Sequence, residues 1–289
     1  MKDYLIRVVD SSKKIRGFFI NSTQAVREME RIHSPAAPSS AAMGRLLTQS
    51  FLMGAMLNND TDSLTIKMDG GGPIGTMIAV SNNKGEAKVY ASNPMADSDS
   101  YPNGKLNVKG VVGTEGNITV ISDLGLKEPY IGVSPIISGE IGEDFAYYYM
   151  SSEQIPSAVA LGVLVDIDLS IRAAGGYLIQ LLPGVDESTL EKIEESIKAA
   201  DSISSLIDKG MSPEEIAKFV LKDFEIEILD KKEIIYKCSC SRENVLRMIK
   251  SLGPDEIKSM IEEDGGAEVL CHFCNMAYIF GEEELNKLI

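Results

Sequence analysis

The sequence predicts an α+β fold in three parts: an N-terminal, mostly antiparallel sheet domain with packed helices, a helical linker, and a small C-terminal domain. Three observations carry this. Strand-like alternation dominates up to residue 182, helical periodicity replaces it from 183 to 230, and all four cysteines fall in 231–289. With 289 residues, there is length for one sizeable core and a smaller module beside it.

Within 1–182, Tyr4 to Val9 and Lys14 to Ile20 alternate well enough for a hairpin turning at Asp10-Ser11-Ser12. Asn21 or Ser22 is placed to cap a helix with Ala25, Met29 and Ile32 on one face, ending before Pro35. Ser39 to Leu57 interleaves small residues with Leu46, Leu47 and Phe51, a pattern for a helix buried nearly all round. Strands are expected at Leu64–Met68, Gly75–Val80, Ala87–Ala91, Asn117–Ile121, Ala158–Val165 and Arg172–Gln180, with one helix near Ile141 to Ser151. Asp69-Gly70-Gly71-Gly72-Pro73 lacks a phosphate-loop ending and reads as a strand-to-strand turn. Ala173 to Gly176 reads as strand needing close backbone approach.

The linker shows three helical faces: Leu190, Ile193 and Ile197; Ile203, Leu206 and Ile207; Ile216, Phe219 and Val220. Ser212-Pro213-Glu214-Glu215 is a capping box with proline at the first helical position. Between Pro183 and Asp230 lie 13 acidic and 5 basic side chains, so these helices repel themselves and need something to dock on. Leu190, Ile193, Ile197, Leu206, Ile216 and Phe219 are expected to face the N-terminal sheet.

Composition excludes several functions. A net charge of -15 repels phosphate backbones and anionic lipid, so neither nucleic acid nor membrane is an expected partner. The N-terminus has no signal-peptide core, no apolar run approaches spanning length, and the expected location is cytoplasmic. The histidines His33 and His272 form no Ser/His/Asp grouping, and no enzymatic activity is expected.

Cys238-Ser239-Cys240 and Cys271-His272-Phe273-Cys274 are separated by the thirty residues Ser241 to Leu270. Paired cysteines at such spacing suit two knuckles closing a tetrahedral four-thiolate zinc centre, so Cys238, Cys240, Cys271 and Cys274 are the expected ligands of one Zn(2+) and 231–289 is a zinc-binding domain. His272 lies inside the second knuckle and could replace one sulfur as ligand, but four cysteines already complete the shell, so it is read as a surface residue or one that supports a ligand, and His33 as a helix-end partner. A static structural zinc protein or adaptor is one reading of such a site. Switching is the other: clustered thiolates are open to oxidation to disulfides, and losing roughly 10 kcal/mol of metal binding would unfold so small a module. A Cys-x-Cys disulfide closes a strained, reducible ring.

The cysteine pattern continuing into Asn275, together with Gly71-Gly72-Pro73-Ile74, Ser152-Glu153-Gln154-Ile155-Pro156, Ala174-Gly175-Gly176 and Glu263-Asp264-Gly265, resembles the redox-regulated thirty-three-kilodalton heat-shock chaperonin family over essentially the whole chain. The resemblance implies an ATP-independent holdase that protects unfolding client proteins under oxidative and heat stress. It implies a quiescent zinc-bound monomer when reduced and a homodimer when oxidised. It also implies Cys238 pairing with Cys240 and Cys271 with Cys274, zinc release, and disorder of the linker helices.

Overall fold

Alternating apolar residues near the N-terminus form the hairpin of β1 (Tyr4–Asp10) and β2 (Ile15–Asn21). The Asp10 carboxylate closes its turn by accepting from the backbone N–H groups of Ser12, Lys14 and Ile15 at 3.0, 2.8 and 2.7 Å. The computed structural model describes residues 2–185 and 187–289, with side chains at all of these but 187, 188, 190 and 199. The expected apolar position Leu190 therefore lies outside the described side chains. The chain divides into two compact units, the first ending at Tyr236 and the second spanning Lys237–Ile289.

Two helices follow the hairpin, α1 (Thr23–His33) and α2 (Ala37–Gly54). Sequence points to a local cap for α1, and Asn21 Oδ1 does accept from Thr23 N at 3.1 Å. The principal cap comes from elsewhere: Asp3 Oδ2, at the head of β1, accepts from Ala25 N at 2.7 Å. Ser22 Oγ is drawn instead to Thr48 Oγ1 in the core, 2.7 Å away. His33 bonds at 3.3 Å to the Tyr236 hydroxyl.

Strands β3 (Ser63–Asp69), β4 (Met77–Asn82), β5 (Glu86–Ala91), β6 (Asn117–Asp123) and β7 (Tyr130–Pro135) build one sheet, with a short helix α3 (Val108–Val112) before β6. The glycine-rich stretch after β3 is the expected turn into β4, and no helix follows it. Helix α4 (Gly142–Tyr148) runs on as a π-helical turn (Tyr149–Glu153). Tyr148 and Tyr149 are core residues while Tyr147 is exposed.

A second sheet combines the hairpin with β8 (Ser157–Val165) and β9 (Ile171–Leu181). Helices α5 (Glu187–Ala199), α6 (Ile203–Asp208) and α7 (Pro213–Val220) come next, then β10 (Ile226–Glu233) and the two-residue β11 (Ile235–Tyr236). The strand orders are β10-β1-β2-β9-β8 and β11-β5-β4-β3-β6-β7. All pairings are antiparallel except β11 on β5. The α+β class with antiparallel sheets is as expected from sequence; the division into two sheets is not visible there.

Burial explains the pattern. Helix α2 touches strands of both sheets, β2, β8 and β9 on one side and β3, β4 and β5 on the other, and is buried along almost its whole length. That is why its small residues run all round rather than along one stripe. The β10-containing sheet is covered on both faces. Leu5, Phe18, Ile20 and Leu178 join the α1/α2 core, while Ile6, Val8, Phe19 and Ile179 pack under the α5–α7 layer. A strand covered on both faces needs a near-continuous apolar run, which β2 has in Gly-Phe-Phe-Ile. Gly175 in β9 confirms the expected close approach: a Cβ there would lie 2.3 Å from Ile20 O and 2.4 Å from Ile207 Cδ1 of α6.

The linker helices are held by these contacts. Ile193, Ile203, Leu206, Ile207 and Ile216 are buried in the layer over the sheet, and the Ser212–Glu215 capping box is formed. Phe219 departs from the expectation, being 42% exposed; Ala217 and Val220 fill the interior positions instead. Strand β10 crosses residue 230, pairing Lys231 with Ile6 and Asp230 with Arg7.

Candidate metal centre

The second unit is small: α8 (Arg242–Ser251), α9 (Pro254–Asp264), the hairpin β12 (Gly266–Leu270) and β13 (Ala277–Gly281), and a final turn α10 (Glu282–Leu285). Val245, Ile249, Ile257, Phe280 and Leu285 form its buried core. Seven partly buried apolar side chains pack against these five, a small core of the kind that a disulfide or metal ordinarily supplements in so short a unit.

Both cysteine pairs sit where the chain turns. Cys238 and Cys240 lie just before α8, whose first turn is capped by Ser241 Oγ accepting from Asn244 N at 3.2 Å. Cys271 and Cys274 occupy the β12–β13 turn, where Cys271 O accepts from Cys274 N and Asn275 N at 3.3 and 2.8 Å and Cys271 N donates to Met276 O at 2.9 Å. Asn275 adopts φ 55, in the left-handed region that asparagine tolerates better than most side chains. Backbone hydrogen bonds thus shape the knuckle.

The fold brings the two pairs together. All four sulfurs lie within 4.8 Å of one another, with Cys238 Sγ 3.6 Å from Cys271 Sγ and Cys240 Sγ 3.2 Å from Cys274 Sγ. Four sulfurs at about 2.3 Å from a common centre stand about 3.8 Å apart, so the set fits one tetrahedral thiophilic ion. Each cysteine is half-buried, and none of the four is in a disulfide. His272 is exposed and is not among the gathered ligand atoms.

Protonation is uneven across the cluster. Burial pushes the Cys240 thiol up, but hydrogen bonds from the Tyr278 hydroxyl and the other three thiols outweigh it and bring it down to about 7. Cys274 moves the other way, raised by burial and by its hydrogen bond toward Cys240. Cys240 is thus the more readily ionised of the two and Cys274 the less.

Tyr278 Oη donates to Cys240 Sγ at 3.2 Å, and this bond raises its own pKa to about 12. Sequence reading missed this tyrosine. Its only signal is register: as Val269's partner on β13 it stands two residues from the end of the hairpin that carries Cys271 and Cys274. Arg242 completes the support, lying 4.4 Å over the buried Phe280 ring and donating to Ile279 O at 2.8 Å.

A family model described as Hsp33 protein matches residues 3–281. The 33 kDa chaperonin of Clostridioides difficile (strain 630) is 46% identical over 289 residues, covering 100% of this chain and 99% of that protein. That of Bacillus subtilis (strain 168) is 48% identical over 286 residues, covering 99% and 98%. The crystal structure of the 33 kDa chaperonin (heat shock protein 33 homolog) from Thermotoga maritima matches with a TM-score of 0.90 at 33% identity, covering 100% of this chain and 98% of that one.

Proposed function

The chain belongs to the Hsp33 protein family, and from that premise we propose that it is a redox-regulated, ATP-independent holdase whose four cysteines are the sensor. The observation that carries this reading is the gathering of four half-buried sulfurs within 4.8 Å in a unit with a five-residue core. Residues 1–182 form the client-binding core, 183–230 the releasable linker and 231–289 the switch. Strand β10 ties linker to core across the last of these boundaries.

Cys238, Cys240, Cys271 and Cys274 would hold one zinc ion, which stabilises four thiolates and keeps them clustered. Four protein donors leave no open position for a catalytic water, so the reading is not enzymatic. Under peroxide, two thiolates of a pair give up one electron each, the S–S bond forms, and peroxide leaves as two hydroxide ions. A second peroxide does the same for the other pair, giving Cys238–Cys240 and Cys271–Cys274. With every sulfur in a disulfide no thiolate donor remains, and the five core side chains cannot keep the unit folded.

The acidic α5–α7 layer then loosens. Its departure uncovers Ile193, Ile203, Leu206 and Ile216 together with the sheet face beneath them, a surface for unfolded clients kept in solution by the surrounding charge. The oxidised form is a homodimer and the reduced form a monomer, working in a reducing cytoplasm without nucleic acid or membrane partners. Among the described residues no helix is long and apolar enough to cross a membrane.

The test is suppression of light scattering from an aggregating client by reduced zinc-loaded chain and by chain oxidised with peroxide under mild heat, with zinc release followed in parallel. Release together with a gain in suppression supports the switch. Zinc that stays bound, or leaves with no gain, makes the centre a static structural staple.

A further inference from the structure

The geometry points to β7 as a standing site for an extended apolar polypeptide segment flanked by basic residues, which adds to the sheet as one more strand. This proposal rests on the chaperone reading above, whose client-binding surface it extends.

Strand β7 is the outer strand of its sheet, paired with β6 on one side only. Such an edge presents a row of backbone donors and acceptors that template another strand, and folded proteins blunt it with charge, bulges or covering elements. Here Tyr130-Ile131-Gly132-Val133-Ser134-Pro135 carries no acidic or basic side chain. Gly132 and Ser134 face inward. Ile131 and Val133 face out, 55% and 54% exposed, next to Ile121 and Thr119 of β6. The apolar surface continues in exposed Leu124, Leu126 and Ile137. A cavity of about 220 Å³ whose lining includes Met53, Met56, Leu57, Leu124, Tyr130 and the acidic Glu153 adjoins the strand. Its two methionines can adapt to varied side chains.

Charge says what fits. From Glu115 to Glu153 the chain has seven acidic residues and one basic, Lys127. Glu115, Asp123, Glu128 and Glu143 are exposed. An uncharged strand bracketed by carboxylates favours an apolar segment with lysine or arginine at its ends. It disfavours acidic segments and also a second copy of this chain, which would set the same carboxylates against themselves. Strand β7 has this unpaired side in a structure whose four cysteines form no disulfide, so this binding needs no oxidation. One strand's width of contact binds weakly, and effective suppression of aggregation still requires the larger surface that the switch releases.

The experiment uses the reduced full chain and two fluorescent peptides of alternating Val and Thr, one with lysines at both ends and one with glutamates, read by anisotropy and by amide exchange. The lysine-flanked peptide is expected to bind about tenfold more tightly and to slow exchange at residues 130–135. Substituting Asp123→Asn, Glu128→Gln and Glu143→Gln together should erase the preference. Val133→Lys, on an exposed side chain that leaves the circular dichroism unchanged, should weaken binding about tenfold. Equal binding of the two peptides, unaltered binding by the Val133→Lys chain, or protection elsewhere overturns the assignment. Protection of 130–135 that rises with chain concentration alone would give the edge to a second copy and overturn it as well. If neither peptide binds but the oxidised chain suppresses aggregation, the edge site fails and the chaperone reading stands. The reverse pair of results leaves the edge site and removes the chaperone reading.

Discussion

Cys240 Sγ lies 3.2 Å from Cys274 Sγ, a contact between residues 34 positions apart that draws the two ends of the second unit together. The unit's apolar core has five buried side chains, and a metal ion held by the four sulfurs would turn its binding energy into folding energy for Lys237–Ile289. Cys240→Ser or a strong chelator should therefore unfold the second unit and leave the first folded. Amide exchange is expected to become fast across 242–285 and to stay slow in β1, β2, β9 and α2; uniform loss of protection would contradict this.

Disulfide mapping by mass spectrometry checks the pairing. In the folded unit sulfurs of different pairs touch, Cys238 with Cys271 and Cys240 with Cys274. Once the unit loosens, closing a short ring costs less chain entropy than closing one of more than thirty residues, by about 2 kcal/mol. Oxidation by peroxide should yield Cys271–Cys274 and Cys238–Cys240. A dominant Cys240–Cys274 link would mean that oxidation precedes unfolding.

Tyr278→Phe removes one hydroxyl and little packing. Losing a hydrogen bond to a ligand commonly lowers metal affinity about 10- to 100-fold. Competition against a chromophoric chelator should show a drop toward the lower end of that range, with the thermal transition of the first unit unmoved.

Acid should attack the first unit through Asp10. Burial raises its pKa, but hydrogen bonds from Ser12, Ile15 and Lys14 outweigh this and hold it below the ordinary 3.8. A carboxyl depressed in the folded state contributes stability that is complete above its unfolded value and lost as pH falls through the folded one. Stability should therefore decline below about pH 4. Asp10→Asn should flatten that decline while costing about 1–3 kcal/mol at neutral pH, since its amide meets backbone donors. Urea midpoints at neutral and acid pH measure both effects.

Gly162 of β8 tests the linker directly. A Cβ there would stand 2.7 Å from Ile203 Cγ2 and 2.8 Å from Ser204 N, at the start of α6. Gly162→Ala should lift α6 from the sheet at a cost of about 1–3 kcal/mol. The reduced variant is expected to show faster exchange over 203–220 and chaperone activity without oxidant. Faster exchange with no activity would separate linker release from client binding.

Features set by local rules were legible in the sequence. The small residues of α2, the Ser212–Glu215 box and the paired cysteines each announce their structure within a few positions. Features set by distant partners were not. Strand β7 contains Gly132 and ends in Pro135, which demotes it as a strand. Strand β10, Ile226–Glu233, carries five charged side chains and merges with the acidic linker, although charge is what an edge strand ordinarily wears. The α1 cap from Asp3 and the Tyr278 bond to Cys240 depend on register between elements, and no local pattern encodes either.

The position of β10 has a consequence for biosynthesis. The N-terminal hairpin emerges first, but the edge of its sheet is closed by a strand made after all of α5–α7. Until residue 233 leaves the ribosome, β1 offers an unpaired edge of its own. Cys238 follows five residues after that strand's end and Cys240 seven. The nascent chain thus completes its core sheet at nearly the moment its first two thiols reach solvent, and a chain stalled before that point exposes the β1 edge with none of the four cysteines yet made.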